Sequence, residues 1–318
     1  MYKRGEKVKN TRMLTEGVIM IAVFVVLLLI TLYVPIVSII LQYFLVIPFL
    51  LYSAKYPIKN SLLFLLATVL VSFIIGSFGG IAFAIIFGTL GLMMGYGIRK
   101  KYSKEIIYVS SSFVFLASII VLFIVSASFF ELNFITELGA ILRESVDQSL
   151  NTLTALGQSP PAIVEEQLEK MIEMIGLMTP FLFTAFAFIT VIIIILITFP
   201  IIKRLGIDVP KFKPFRLLQF PKSILWYYLL ILITTLFIKT EQGSYLNMVL
   251  LNGDLILQIL LVLQGLAVIF YYAHYKKWNI AIPIVAVVLT VFIPLFLPFV
   301  SLLGIIDIGF DLRWRLKQ

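Results

Sequence analysis

Long uncharged apolar runs alternate with short polar segments along almost the whole chain. About 20 apolar residues are enough for an α-helix to cross the roughly 30 Å hydrocarbon core of a bilayer. Eight runs of about this length lie near residues 16–34, 36–54, 60–77, 79–98, 106–130, 177–201, 223–239 and 255–273. The pattern predicts an all-α, polytopic membrane protein with about eight full spans.

The apolar tail from 279 to 310 is interrupted by Pro294 and Pro298. Proline breaks or kinks a helix because it lacks an amide donor and clashes with the preceding turn. We expect two short segments, about 280–293 and 295–309, folded back as a hairpin, which gives nine or ten membrane segments in total. The alternative is a single kinked span that leaves a basic C-terminus outside.

Basic residues lie mostly on one side of this topology. If the amino terminus is cytoplasmic and the apolar tail is a hairpin that ends inside, all 25 lysines and arginines except Arg143, Lys170 and Lys239 fall inside. Cytoplasmic loops of membrane proteins carry such an excess of basic residues. The charge distribution therefore predicts that both termini are cytoplasmic.

The segment 131–176 is the only sizeable loop on the outer side. It contains eight acidic residues against Arg143 and Lys170, a net charge of −6, which favours a cationic or neutral solute over an anion. A second helix is expected after Ser159, and we predict a helical hairpin over the outer mouth of the bundle. An inert solvated connection is the alternative. The first helix is indicated by apolar residues at helical spacing, Leu138, Leu142, Val146, Leu150, Leu153 and Leu156.

The cytoplasmic loop 203–222 mixes six basic residues with large apolar side chains and three prolines. Such a mixture favours an anionic membrane surface, with a partner groove as the alternative. The loop also divides the chain into a six-span core (1–202), the loop itself and a smaller C-terminal group of membrane helices (223–318).

Composition and motifs exclude several classes of function. The chain is 61% hydrophobic and contains no cysteine, so disulfides and thiolate metal sites are absent. It has no G-x-x-x-x-G-K-[ST], H-E-x-x-H or G-x-S-x-G motif. We expect no enzymatic activity, no cofactor and no metal site. The net charge of +9 does not indicate nucleic acid, because the basic residues form short clusters between apolar runs.

Small residues recur every four positions in the third and fourth runs. In lipid, small residues let helices approach closely, so helix packing is the expected role. A substrate passing close to the backbone is the alternative. The residues are Gly76, Gly80, Ala84 and Gly88, followed by Gly91 and Gly95 on a neighbouring face.

Polar side chains inside a membrane are costly and are therefore candidates for function. We expect Gln42 to orient a bound solute through a hydrogen bond, with the other amides as further candidates. Amides that bridge helices are the alternative for each position. The candidate ligand-binding residues are Gln42, Asn247, Asn252, Gln258 and Gln264.

Charged residues also recur near the C-terminus. Asp307, Asp311 and Arg315 step by four, so a continuous helix would carry all three on one face. We interpret them as a structural latch with the cytoplasmic loop, in which Arg216 is the candidate partner. Ion coordination is the alternative.

Several short motifs resemble the YybS-like family of bacterial membrane proteins, which implies a multi-pass protein of the plasma membrane. The likeness covers nearly the whole chain. The motifs are Thr11-Arg12, Leu14-Thr15-Glu16-Gly17, Gly95-Tyr96-Gly97 before Arg99-Lys100, Leu263-Gln264-Gly265-Leu266-Ala267 and Asp311-Leu312-Arg313.

The first six spans of that family are similar to the S components of energy-coupling factor (ECF) transporters. In those proteins six helices bind a small molecule from outside, and a separate membrane partner with two ATPases drives uptake. S components commonly carry A-x-x-x-A on the first helix, where this chain has Val18-x-x-x-Ala22 or Gly17-x-x-x-Ile21. Three further segments after Lys222 also differ from that pattern.

This resemblance implies a transporter-like subunit that binds or translocates a small solute and has no ATPase of its own. Its partners would be the lipid bilayer, an unidentified solute and a separate energy-coupling membrane protein with ATPases. The alternative is a non-transport scaffold for cell-envelope or signalling proteins.

Overall fold

A computed structural model describes residues 2–130, 134–156, 164–241 and 243–315 of the 318-residue chain. Helix is the only regular secondary structure in these residues, which confirms the all-α prediction. Short 3-10 turns lie at Gln42–Phe44 and Phe215–Leu217. The α-helices are α1 (Tyr2–Tyr33), α2 (Pro35–Leu41), α3 (Val46–Lys55), α4 (Ile58–Arg99), α5 (Lys104–Phe130), α6 (Phe134–Ala155), α7 (Val164–Arg204), α8 (Ser223–Phe237), α9 (Tyr245–Tyr275), α10 (Ala281–Phe292), α11 (Phe296–Phe310) and α12 (Leu312–Arg315).

Six helical stretches in the described part of the chain are long and apolar enough to cross a membrane, which confirms the polytopic prediction. Helices α8, α10 and α11 are apolar but shorter. The 15 residues of α8 extend about 22 Å at 1.5 Å per residue, less than a full hydrocarbon core. The six long stretches are Thr11–Tyr33, Pro35–Lys55, Ile58–Arg99, Lys104–Phe129, Glu166–Arg204 and Tyr245–Tyr275.

Helix α4 accounts for two of the predicted spans because it contains a backbone break. Its 42 residues are interrupted at Gly76 (φ −126°, ψ 18°) and Ser77 (φ 48°, ψ −135°), where neither residue is helical. The break separates a first arm, 58–75, from a second arm, 78–99. Each arm is about as long as one membrane crossing requires.

The two arms of α4 fold back on each other. Gly80 packs against the carbonyl oxygen of Ser72, and Gly88 packs against the side chain of Leu65. As residue numbers rise along the second arm, the contacting residues on the first arm have falling numbers. The two arms are therefore antiparallel, as expected for two successive membrane spans.

The described helices form two compact units. The N-terminal unit comprises Met1–Glu137 and Phe183–Phe212, and the C-terminal unit comprises Leu138–Leu182 and Lys213–Gln318. The three-part division expected from the sequence stays a prediction, because compactness alone does not show which segments fold independently.

The N-terminal unit gathers six membrane segments: α1, the combined α2 and α3, both arms of α4, α5, and the later part of α7. Its centre is aromatic. Phe49 is fully buried and packs edge-on against Phe24 and Phe64, with ring centroids 5.0 and 5.3 Å away. A Cβ atom at Gly95 would lie 2.5 Å from the carbonyl oxygen of Leu50. Glycine there lets α3 approach the second arm closely.

In the C-terminal unit, α9 packs against α8, α10 and α11. Gly265 of α9 packs against the carbonyl of Val300, and Gly304 of α11 packs against the carbonyl of Leu261. These contacts place α11 antiparallel to α9 at a very small separation. Both glycines are required there, because a Cβ atom at either position would overlap the opposite backbone.

The apolar tail is divided into α10 and α11 around Pro294, which confirms the prediction of two short segments. The end of α11 lies against the beginning of α8, where a Cβ atom at Gly309 would be 3.7 Å from the Leu225 side chain. The C-terminal residues are therefore next to the end of the loop 203–222.

Helix α6 and the first part of α7 pack as an antiparallel pair. Arg143 of α6 forms an ion pair with Glu169 of α7 at 2.7 Å, and Gly139 lies beside Ile172. The predicted apolar stripe of α6 is its half-buried face, except for exposed Leu156. Helix α7 then continues without a break into the membrane span. The expected start of the second helix after Ser159 lies outside the described residues.

Candidate functional site

A buried group of three charged and polar side chains joins α9, α11 and the C-terminal residues. We call Gln264, Asp307 and Arg313 the polar core. The carboxylate of Asp307, only 3% exposed, accepts hydrogen bonds from Arg313 Nε (3.0 Å) and Nη2 (2.6 Å) and from Gln264 Nε2 (2.5 Å). A buried carboxylate requires such partners because desolvation of an unpaired charge is costly.

The geometry of the polar core depends on where α11 ends. Asp311 adopts a left-handed conformation (φ 51°, ψ 50°), so the helix stops at Phe310. Asp and Asn tolerate this conformation better than most residues. The turn brings Arg313, rather than Arg315, to Asp307. The continuous charged face expected from the sequence is therefore not formed.

The polar core also holds the loop before α8. Arg313 Nη1 donates a hydrogen bond to the carbonyl oxygen of Arg216 at 3.0 Å. The side-chain oxygen of Gln264 accepts a hydrogen bond from the backbone N–H of Phe220 at 3.0 Å. The loop is thus attached at two points to side chains from α9 and from the residues after α11.

A second ion pair joins the loop to the C-terminal residues. Lys222 Nζ lies 2.8 Å from the carboxylate of Asp311, and both side chains are largely exposed. Arg315 is the last residue of α12, and its side chain lies outside the described part of the structure. Asp307, Asp311 and Arg216 are therefore close together at the loop, but Arg216 takes part through its backbone.

A cavity of about 410 Å³ lies where the loop meets the end of α9 and the beginning of α10. This volume is within the range of small-molecule sites, which are mostly apolar with a few polar groups. The lining residues with polar side chains are Arg216, His274 and Trp278. The lining residues are Pro214, Phe215, Arg216, Phe270, Ala273, His274, Trp278, Ile280 and Pro283.

Local backbone structure builds two walls of the cavity. Lys277 has a positive φ of 55°, and the N–H of Trp278 donates to the carbonyl of Ala273 at 2.8 Å. This is the Schellman arrangement, which ends a helix and turns the chain back toward its last turn. It returns Trp278 to the end of α9. Phe215 of the loop packs edge-on against Phe270 at 5.4 Å and forms part of another wall.

Asn252 bridges two helices of the C-terminal unit. Its Nδ2 group donates to the carbonyl oxygens of Leu177 (2.8 Å) and Met248 (2.7 Å), and its Oδ1 atom accepts from the N–H of Phe181 (2.8 Å). These bonds use both amide hydrogens of the buried side chain. The structure thus places Asn252 in a helix-bridging position between α7 and α9.

The other candidate amides lie in separate surroundings. Gln42 donates to the carbonyl of Ile39 at 3.2 Å, within its own membrane segment. Asn247 accepts a long hydrogen bond of 3.5 Å from Thr240. Gln258 is half-buried and makes no side-chain hydrogen bond to the described residues. The four amides of α9 extend over about 25 Å of helix, so they do not converge on one ligand.

The stepped small residues of the break and the second arm lie at contacts with other helical segments, and Ala84 among them is fully buried. These contacts fill the space beside the glycine backbones. The neighbours are Leu32 for Gly76, Ser72 for Gly80, Leu65 and Phe49 for Gly88, Phe49 and Val46 for Gly91, and Leu50 and Ser53 for Gly95.

Sequence reasoning did not identify Arg313 or the pair Gly265 and Gly304. An acidic residue in an apolar segment before a basic tail indicates that Asp307 has a basic partner, but which arginine pairs with it depends on where α11 ends. The two glycines carry a weak signal, since each is a small residue within an apolar segment.

Comparison with known proteins adds three findings. The family model described as "Predicted membrane protein (DUF2232)" matches residues 22–308. The protein "Uncharacterized protein YybS" of Bacillus subtilis (strain 168) is 33% identical over 312 residues, which are 97% of this chain and 100% of that protein. No solved structure matches the chain significantly. Both similarities extend through the six-segment core and the C-terminal helices.

Proposed function

We propose that this chain, which belongs to the DUF2232 family of membrane proteins, is a transporter-like subunit that binds or translocates a small solute and has no ATPase of its own. It is an integral, multi-pass protein of the bacterial cell membrane, with six long apolar helices in its described part.

The observation that carries the proposal is a 3-10 turn inside a membrane segment of a six-segment unit. The span Pro35–Lys55 tightens from α-helix to a 3-10 turn at Gln42–Phe44, with right-handed helical backbone on both sides. A 3-10 stretch in the middle of an α-helix often marks a functional hinge or a strained sequence. The position of Gln42 in this turn supports its role in orienting a solute.

The number of segments supports an S-component-like core. The N-terminal unit gathers six membrane segments, the number that binds a solute in the S components of ECF transporters. The sequence has no nucleotide-binding motif of the P-loop type, so energy would come from a separate membrane partner with ATPases. The net charge of −6 on segment 131–176 favours a cationic or neutral solute.

The test is purification of the complete protein from native membranes, followed by mass spectrometry of the bound small molecules and co-purifying proteins. We expect one solute, and an ATPase pair with a shared membrane partner. Gln42→Leu should retain up to about ten-fold less solute, because a hydrogen bond contributes a net of roughly 0.5–1.5 kcal/mol. Gln148→Leu, on the exposed face of α6, is the matched control. Recovery of only shape, division or signalling proteins, without a solute, would contradict the proposal.

A membrane scaffold is the second candidate, and the attachment of the loop favours it. The loop is fixed to α9 and the C-terminal residues, yet Phe215 and Leu217 remain 40% and 51% exposed between basic residues. Such a surface suits a cytoplasmic partner or a membrane surface. If deletion of 132–174 leaves the cellular phenotype intact while alteration of 203–222 abolishes it, the scaffold replaces the transport function.

A further inference from the structure

The cavity beside α9 is lined by basic side chains and by no acidic one among the described residues. Arg216 is half-buried and makes no ion pair with any described carboxylate. The two acids nearby already have partners, since Asp307 binds the polar core and Asp311 binds the lysine that precedes α8. An arginine that is partly removed from water without a counter-ion is costly. This arrangement indicates that an anion completes the site.

We propose that the cavity binds a phosphate group, presented by the headgroup of an anionic membrane lipid or by a soluble phosphate compound. The planar guanidinium of Arg216 matches two phosphate oxygens at once. His274 and Trp278 line the same cavity and supply further N–H donors. Ile280 and Pro283, at the beginning of α10, also line it.

The loop backbone around Arg216 is fixed before any ligand arrives. The carbonyl of Arg216 is held by Arg313, and Phe220, four residues later, is held by Gln264. A guanidinium that extends from a fixed backbone loses less conformational freedom on binding than one on a mobile loop. The polar core is therefore a support for the phosphate site rather than a ligand-binding group itself.

The end of α9 has the composition of a membrane interface. Tyrosine and tryptophan concentrate at the boundary between hydrocarbon and water, and basic residues mark its cytoplasmic side. Anionic lipids of that leaflet attract basic groups, which makes lipid phosphate available to the cavity. The residues in this segment are Tyr271, Tyr272, Tyr275, Lys276, Lys277 and Trp278.

The experiment compares full-length wild type with Arg216→Gln in nanodiscs of phosphatidylcholine with or without phosphatidylglycerol. Native mass spectrometry counts the phosphatidylglycerol molecules retained, and inorganic phosphate is titrated in a parallel arm followed by thermal unfolding. Arg216→Gln keeps the backbone carbonyl that Arg313 binds, so the loop attachment remains. Lys211→Gln removes the same charge from the same loop at a residue that does not line the cavity.

We expect Arg216→Gln to weaken binding about ten-fold or more, because hydrogen bonds to charged groups are among the strong ones, and Lys211→Gln to bind as wild type. If Arg216→Gln loses binding of phosphatidylglycerol, the ligand is a lipid headgroup. If it loses binding of inorganic phosphate only, the ligand is a soluble phosphate compound. His274→Gln serves as the second variant if Arg216→Gln does not fold. Equal binding of both probes by wild type and the folded cavity variant would overturn the proposal. The site belongs to the C-terminal unit and does not depend on the solute proposed for the six-segment core.

Discussion

Two ion pairs near the C-terminus use aspartates four positions apart but differ greatly in burial. The side chains of Arg313 and Asp307 are 12% and 3% exposed, whereas those of Lys222 and Asp311 are 61% and 40% exposed. Water screens the second pair and stabilises each of its charges separately. At this scale, the surroundings of each carboxylate decide its contribution to stability.

Replacement of Asp307 by Asn should lower the free energy of unfolding by about 3–5 kcal/mol, because it leaves the guanidinium of Arg313 buried without a counter-charge. Replacement of Asp311 by Asn should cost less than about 1 kcal/mol, as for most exposed pairs. Thermal and denaturant unfolding of the purified protein in the same detergent provides the measurement.

The double variant Asp307→Asn with Arg313→Met is the control for this prediction. It removes the unpaired charge as well as the carboxylate, so it should be less destabilised than Asp307→Asn alone. Similar losses for Asp307→Asn and Asp311→Asn would show that the buried pair has no special role.

At the residue level, the sequence indicated which polar side chains are unusual but not which groups they bind. The cost of burial identified Asn252 and Gln264 as unusual, and the charge pattern identified Asp307. Their partners include backbone groups of distant segments, such as the carbonyl of Leu177 and the N–H of Phe220. Backbone groups are present at every residue, so no sequence pattern distinguishes those that bind a side chain.

Helix packing in both units depends on glycines at close contacts. The spacing of small residues indicated which apolar segments would pack tightly, and hydrophobic length located the segments themselves. The reversal of α4 was anticipated only as two adjacent spans, since Gly76 and Ser77 lie inside an apolar run. The continuity of α7 through Gly176 was missed, because a single glycine does not end a helix that packing supports.

Gly95→Ala should destabilise the protein by about 1–3 kcal/mol, because the added methyl group overpacks a filled contact with α3. Its Cβ atom would lie 2.5 Å from the carbonyl oxygen of Leu50 and 2.7 Å from the Cβ atom of Ser53. Gly79→Ala on the same helix is the matched control, since nothing lies within 4 Å of its added methyl group. Wild type and Gly79→Ala should have similar thermal unfolding temperatures, and Gly95→Ala a lower one. An unfolding temperature of Gly95→Ala above that of wild type would contradict the packing of α3 against the second arm.

The pairing of α6 with α7 predicts a disulfide between introduced cysteines at Gly139 and Ile172. A Cβ atom at Gly139 would lie 3.4 Å from the Cγ2 methyl group of Ile172, which is bonded to the Ile172 Cβ atom, and the chain has no cysteines of its own. The two Cβ atoms are therefore close enough for a small backbone movement to bring them to the separation of about 3.5–4.5 Å that a disulfide requires. Mild oxidation should cross-link this pair and change its electrophoretic mobility. Gly139→Cys with Met171→Cys should react much less, because Met171 is exposed and points about 100° away around α7.

At the scale of the whole molecule, two independent observations concern the side on which the C-terminus lies. The excess of basic residues predicts that the loop 203–222 and the C-terminus are cytoplasmic. Independently of the charge bias, the ion pair between Lys222 and Asp311 requires that the end of the loop and the C-terminal residues lie together.

Hydrophobic patterning predicted the class of fold. The contacts within the C-terminal unit could not be predicted, because its short apolar helices have no distinctive pairing pattern.

Single cysteines test this topology cleanly, because the chain contains none of its own. Asp147→Cys, on the exposed part of α6, should react with an impermeant maleimide in intact cells. Gln219→Cys and Gln318→Cys should react only after permeabilisation, since the charge bias predicts that both are inside and the ion pair between Lys222 and Asp311 keeps the end of the loop and residue 311 on one side. Labelling of Gln318→Cys but not Gln219→Cys from outside would separate the C-terminus from the loop and exclude this packing. Labelling of both from outside would instead preserve the packing and reverse the predicted orientation.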